Sequence, residues 1–506
     1  MKSDRRWAAA FGVVAAAIVV SHLVGLATAP PGLYSDEASI GYNAWTIAHY
    51  GTDQYGNHWP LLFRDFGDYK GPISTYLLAP LTLVLPLTPT VTRLPSAFAG
   101  IAVALIAGVL AWRMTRSRPV ALLVMLEAAF EPWFFHTARI NLEADLFTVL
   151  CFVTVLAALA GGGVQRARNC VIAGLALSLA PFAAQPGRFF AIVFLVLLVV
   201  THHASLKRSR LALLGLPVTV TTVVLLAGTA GGATARLGNL SVFRNHSLLN
   251  GMTAWVGNYF GYFNPDFLFL HGDPILRHST GFGGLLLVTT LPVIVVGLIR
   301  CARRWRESFC RLALAGLVVA PIGPALTNGL SARRDVIFLP FLLVVLTHGW
   351  QGVLGFLRGR RVWIAVAAVF TTLAVCLYFV DYAVAYPTRS AQSFYAGEEE
   401  ALVVAHAAAG AHNILVSGRI PDALEEALFA IQPAPGGSEV LARMHLVDPA
   451  TSPQLEAAQP GDVAVLSGGE PAPKGFSLVR QEAVTGPTSL GGPAETLVLV
   501  NVYQRR

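Results

Sequence analysis

Eleven apolar stretches, each near the ~20 residues that a helix needs to cross a bilayer, dominate this chain. They run over residues 7–29, 94–113, 118–135, 144–162, 170–185, 189–203, 211–230, 281–300, 311–327, 336–350 and 362–381. A water-soluble fold has no room for so many. Only 13% of the 506 residues are charged, about half the share of an ordinary soluble domain, and mean hydropathy is +0.60. The pattern predicts an α-helical polytopic membrane protein and excludes a secreted or cytosolic globular enzyme.

The loops orient it. With the N-terminus inside, the inner loops carry Lys2, Arg5 and Arg6; Arg113, Arg116 and Arg118; Arg166 and Arg168; Lys207, Arg208 and Arg210; Arg300, Arg303, Arg304, Arg306 and Arg311; and Arg358, Arg360 and Arg361. These are nineteen of the 36 basic residues, and only Asp4 and Glu307 oppose them. Every inner loop then obeys the positive-inside rule. The net charge of +8 therefore marks topology and implies no nucleic-acid partner. The first stretch is too long for a signal peptide and is read as an anchor. Residues 72–89 hold four prolines, so they are read as a helix lying in the outer interface, within one long outer loop at 30–93.

Two regions follow: residues 1–381 form the membrane domain and 382–506 a small outer α/β domain. The second has β-type runs at 413–416, 462–466 and 496–500, with helical stretches near 397–409 and 421–430. The five cysteines avoid the outer segments, so disulfides do not hold that domain. No P-loop, CxxC or HExxH motif occurs, which leaves ATP-driven work, zinc ribbons and zincin chemistry without support.

Outer charges are few and grouped. Ser35-Asp36-Glu37 opens the long loop, where Ser35 can cap a helix whose first turn favours ionised carboxylates. Asp65 to Asp68-Tyr-Lys70-Gly-Pro follows, then His136-Thr-Ala-Arg139-Ile-Asn-Leu-Glu143 and Gln185-Pro-Gly-Arg188. Each charge alone reads equally well as an ordinary interfacial residue. Together they ask for an anionic ligand at the outer leaflet beside a carboxylate base. His271, Asp273 and His278 are read as local pairs rather than a metal site, and Trp255, Tyr259, Phe260, Tyr262 and Phe263 as an interfacial belt. Glu127 and Glu131 lie within an apolar stretch, where acids are costly.

The order of these motifs resembles the bacterial membrane glycosyltransferases of the GT-C superfamily, family 39 type, relatives of protein O-mannosyltransferases and of the lipid A aminoarabinose transferase. It rests on the Asp-Glu pair, Asp68-Tyr-Lys70-x-Pro, Arg93-Leu-Pro-Ser96, Arg139-Ile-x-x-Glu143, and the stretches Asn258-Tyr-Phe, Leu268 to His278 and Leu330 to Arg334, over roughly residues 20–350. The resemblance implies a polyprenyl-phosphate sugar donor, inversion at the anomeric carbon, and a bacterial inner-membrane enzyme acting on its outer side. It implies Asp36 as the base, Glu37 orienting it or touching sugar, and Lys70 on the donor phosphate with Arg139 and Arg188. Asp68, Glu143 and Arg333 are further binding candidates. No cofactor is assigned, and a divalent metal stays open. The rival class is a glycolipid transporter or flippase, which would place its binding residues near the midplane and often show inverted repeats.

Overall fold

The computed structural model describes all residues except 1, 66–67, 143–144, 204–205, 229–240, 245–246, 421, 436–437 and 449–451. Among the described residues seven helices are long and apolar enough to cross a membrane: Arg5–Leu23, Pro89–Thr115, Gln185–His202, Arg208–Leu225, Ser308–Ala325, Val336–Leu357 and Arg361–Val384. The last has a mean hydropathy of 2.3, yet only 6% of its spanning window is buried. Such a surface is suited to lipid rather than water.

An eighth span arises if Arg118–Phe130 and Pro132–Ala138, bent by 57°, count as one. The bend follows from Pro132, which forces the preceding Glu131 out of the helical region (φ −62°, ψ 135°). Hydropathy alone predicts eleven spans, and the difference has local causes. Asp145–Leu159 is about 22 Å long, stopped by Gly161 and Gly162 at φ 59° and 79°. Ala167–Ala183 stops where Ala184 turns extended. The window at 281–300 becomes a helix only from Leu291, because Gly281 and Gly283 take left-handed conformations just before it. Residues 72–89 yield an eleven-residue helix, Pro72–Thr82.

The chain divides into two compact units. The first comprises Met1–Val24, Leu61–Ile73 and Pro95–Tyr378. Its core holds an aromatic run in which Phe152 stacks on Phe194 at 5.0 Å and Phe194 on Phe341 at 5.4 Å. Helices Leu291–Arg303 and Leu339–Leu357 touch backbone to backbone. A Cβ on Gly297 would lie 2.2 Å from the Val345 carbonyl oxygen, and one on Gly349 would lie 2.2 Å from that of Val293. A short hairpin, β1 (Phe63–Asp65) with β2 (Asp68–Lys70), also belongs to this unit.

The second unit comprises Gly25–Pro60, Ser74–Leu94 and Phe379–Arg506. The C-terminal region therefore folds together with two parts of the long loop that hydropathy assigns to the membrane domain. Its sheet has β3 (Ile414–Ser417), β4 (Met444–Val447), β5 (Val463–Ser467), β6 (Phe476–Pro487) and β7 (Ala494–Arg505) in the order β4-β3-β5-β7-β6. β3 runs parallel to β4 and β5, and β7 antiparallel to β5 and β6. Helix Glu398–Ala409 packs Ala401, Leu402 and Ala405 onto Ile414, Val416, Val463 and Val502.

Helix Ser35–Tyr50 is held within this unit by helix Ala423–Ile431. Gly41 leaves room for Phe429, whose ring would lie 2.6 Å from an added Cβ, and the Tyr42 hydroxyl donates to the Pro433 carbonyl at 2.9 Å. Leu33, Ala38, Leu87 and Phe429 close a small apolar core there.

Carboxylates crowd the same unit. Burial, with the charge of Asp422 added, pushes Glu398 up to about 9 from its ordinary 4.5, and burial pushes Glu399 to about 7. An acid whose folded-state pKa is raised supports folding while protonated, and that support is lost as pH climbs from about 4.5 towards 9. Glu398→Gln, neutral throughout, is expected to raise the melting temperature of this unit by several degrees at about pH 8.5 and by little at about pH 5.5. An equal shift at both pH values would contradict the assignment.

Candidate catalytic and phosphate-binding residues

In the second unit a fully buried ion pair lies next to the candidate base. Tyr34 is the N-cap of helix Ser35–Tyr50, so Ser35, expected as the cap, is instead the first helical residue. Its hydroxyl donates to Asp422 Oδ2 at 2.8 Å. Glu37, in the first turn, is fully buried and accepts from Arg93 at both oxygens: Nε to Oε1 at 2.9 Å and Nη2 to Oε2 at 2.8 Å. Arg93 spends its other donors on the carbonyls of Leu26, Pro30 and Gly32, each at 2.7 Å. All five guanidinium N–H groups are thereby used, and a charge with no exposed surface has the partners it requires. Asp36 sits about 100° further round the turn from Glu37 and is half-buried.

In the first unit, hairpin β1–β2 carries Lys70, paired opposite Phe63 and only 2% exposed. Its ammonium forms an ion pair with Asp65. Arg188, in the first turn of Gln185–His202, donates Nη2 to the Tyr69 carbonyl at 2.9 Å, so two cations bear on adjacent residues of one strand. Gly71 is obligatory here: a Cβ would meet the carbonyl oxygens of Phe182 at 2.4 Å and Ala183 at 2.5 Å.

A second polar group in this unit lines a small pocket with Asp145, Arg277, His278 and Arg333, walled by Thr137, Ile140 and Leu142. Arg333 Nε donates to Asp145 Oδ2 at 3.1 Å. Asp273 organises the loops around it: Oδ1 accepts from the Ile275 amide and Oδ2 from the Ala332 amide, both at 2.8 Å. His278 Nδ1 lies 3.0 Å from Asp273 Oδ2. Burial lowers the pKa of His278, which favours a neutral imidazole despite that carboxylate.

Solved structures of known proteins share this fold over 90% or more of the chain. ArnT from Cupriavidus metallidurans bound to undecaprenyl phosphate matches with a TM-score of 0.54 and 14% identity over 97% of each chain. The apo form of that protein gives 0.55 and 15%, over 99% of this chain and 98% of the other. The chain has the GT-C fold. The oligosaccharyltransferase of Archaeoglobus fulgidus, in complex with zinc and sulfate, gives 0.52 and 15% over 90% of this chain and 67% of its own. No family model and no curated protein matches the sequence itself.

Within this GT-C framework the sequence candidates separate. Lys70 lies on the hairpin whose Tyr69 carbonyl accepts from Arg188, and Arg333 reaches Asp145. Arg139 meets a helix end. Its Nη1 donates to the Ser21 carbonyl at 2.9 Å, at the C-terminal end of the first helix, and its guanidinium lies 5.4 Å from the centre of the Phe135 ring. A cation there complements the helix dipole. Asp68 contributes to β2 through its backbone pairing with Asp65. Glu143 lies outside the described residues. His271 and His278 pair with Asp266 and Asp273, in keeping with local pairing.

Other groups are hidden from, or misleading in, the sequence. Asp145 is the acid that meets Arg333, and its position two residues beyond Glu143 is the available signal. Tyr262 belongs to no interfacial belt: it is buried, and its hydroxyl accepts from the Ser331 amide at 3.1 Å. Glu131 accepts from the Leu287 amide at 2.8 Å and from Thr290, while Glu127 accepts from Trp350 Nε1 at 3.1 Å. Both intramembrane acids thus have fixed donors at the bent span.

Proposed function

We propose that this chain is an inverting glycosyltransferase that moves a sugar from a polyprenyl-phosphate donor to an acceptor hydroxyl at the outer face of a bacterial cytoplasmic membrane. The observation that carries this reading is the end-to-end match to ArnT, which has been solved with undecaprenyl phosphate bound. Likeness of fold carries function only by analogy, so the site residues must supply the chemistry.

Asp36 acts as the general base. It takes the proton of the acceptor hydroxyl as that oxygen bonds to the anomeric carbon, and the carbon–oxygen bond to the donor phosphate breaks with its electron pair on the phosphate. Glu37 and Arg93 position the base by fixing the first turn of its helix, and the burial of Glu37 argues against contact with sugar. Lys70 and Arg188 stabilise the departing polyprenyl phosphate, where fixed cations in a poorly solvated site act most strongly. Asp65 holds Lys70 in readiness until the phosphate replaces it. The pocket of Asp145, Arg277, His278 and Arg333 supplies polar contacts to sugar or acceptor. Glu143, two residues before Asp145, and Asp68, two before Lys70, are assigned to the same binding work from their places in the sequence. Arg139 is assigned to help at the phosphate from its place in the sequence, and it also contacts the end of the first helix.

Purified protein incubated with labelled polyprenyl-phosphate sugars and candidate acceptors tests the reading. Lys70→Ala is expected to lower kcat/KM by about 100-fold and, because it takes away the nearly buried ion-pair partner of Asp65, to lower the melting temperature as well; undiminished transfer would remove the phosphate contact. Movement of intact glycolipid across the bilayer, with no glycosidic bond formed, would favour a transporter.

A further inference from the structure

We infer that Cys301, Cys310 and His348 form a binding site for one zinc ion that clasps three helices together. This inference is independent of the glycosyltransferase reading. Among the described residues these are the three His, Cys, Asp or Glu side chains whose ligand atoms gather closely enough to hold a metal, all within 4.8 Å of one another.

The fold builds the cluster from distant parts of the sequence. Cys301 lies in the last turn of Leu291–Arg303 and Cys310 in the first turn of Ser308–Val319, so the tight turn between those helices brings the two thiols face to face. His348 arrives on Leu339–Leu357, which Gly297 and Gly349 allow to press against the first of these helices at backbone contact. All three side chains are buried.

Distances and donor types agree with zinc. Tetrahedral zinc with bonds of about 2.3 Å to sulfur and 2.0–2.1 Å to nitrogen separates a sulfur and a nitrogen ligand by about 3.5 Å. Cys310 Sγ and His348 Nε2 are 3.5 Å apart. Two thiolates with one imidazole suit zinc and disfavour magnesium or calcium, which seek oxygen. Two thiolates also neutralise the ion's charge in a buried place. The fourth position falls to water. Binding through Nε2 puts the imidazole proton on Nδ1, so Arg304 must release its 3.4 Å contact there. It already has an alternative in Glu307, to which its Nε donates at 2.7 Å. The thiols sit in a run of five arginines between 300 and 311, which also favours thiolate.

The test uses the full chain with an affinity tag that contains no histidine, purified without chelators under reducing conditions. Elemental analysis is expected to find about one zinc per chain. Cys301→Ser and Cys310→Ser should each reduce this to below about a tenth, while Cys376→Ser, which removes an exposed thiol, should not. Cobalt added to stripped wild-type protein should give the intense absorption of tetrahedral thiolate coordination, a readout that does not depend on any variant folding. Zinc below about a tenth per chain together with no cobalt spectrum would overturn the site. So would a Cys301–Cys310 disulfide found by mass spectrometry under the same reducing conditions.

Discussion

Asp36→Asn is expected to reduce glycosyl transfer by about 10²- to 10⁴-fold, the range that a positioned general base contributes. The substitution keeps the size and shape of the side chain while removing its charge and its ability to take a proton. The bidentate contact that fixes the start of the helix is made by the neighbouring Glu37 with Arg93 and is left in place by this substitution. The melting temperature should therefore stay within about 2 °C of wild type. Donor binding should also persist, since the cations assigned to the phosphate are Lys70 and Arg188. Full activity in Asp36→Asn would dismiss it as the base, and a large loss of stability would make it a structural residue.

Arg93→Ala should act in the opposite manner, on the fold before the chemistry. It leaves Glu37 buried without its partner and frees the carbonyls of Leu26, Pro30 and Gly32. Removing one member of a buried ion pair costs about 3–5 kcal/mol, a large share of the roughly 5–15 kcal/mol that typically holds a domain together. Thermal unfolding in detergent or nanodiscs should show a markedly lower transition for the unit containing residues 379–506. Arg93→Lys should recover only part of the loss, because an ammonium cannot reproduce five donors in a planar fork. Double replacement by Arg93→Met with Glu37→Leu should be milder than Arg93→Ala alone, since no buried charge is then left unpaired. A double variant as unstable as the single one would mean that the carbonyl contacts, rather than the ion pair, carry the stability.

These two positions also show how far the sequence can be read. Asp36 and Glu37 stand out because charges are scarce in a chain that is 13% charged. Their neighbours in space do not: Arg93 follows Glu37 by 56 residues and Asp422 follows Ser35 by 387. No local periodicity encodes such pairings. The apolar windows locate most spans, since hydropathy accumulates over a whole helix, but they cannot register breaks set by single residues. Pro132 bends one span, and left-handed Gly281 and Gly283 delay another. Strands β3, β5 and β7 are visible as short β-branched runs, whereas the packing of helix Ser35–Tyr50 onto Ala423–Ile431 is not, because it depends on Gly41 meeting Phe429. Arg139 shows a further limit. Sequence marks it as an outer cation, and only the fold reveals its contact with the carbonyl of Ser21 near a helix terminus.

The most direct measurement follows sugar and lipid together. Purified wild-type protein in nanodiscs is supplied with a panel of polyprenyl-phosphate sugars and acceptors, and both products are analysed by mass spectrometry and nuclear magnetic resonance. Polyprenyl phosphate released in equal amount to sugar transferred, with the anomeric configuration inverted in the product, is the expected result. A product that retains the donor's configuration, or intact glycolipid carried across the bilayer with no polyprenyl phosphate released, would contradict it.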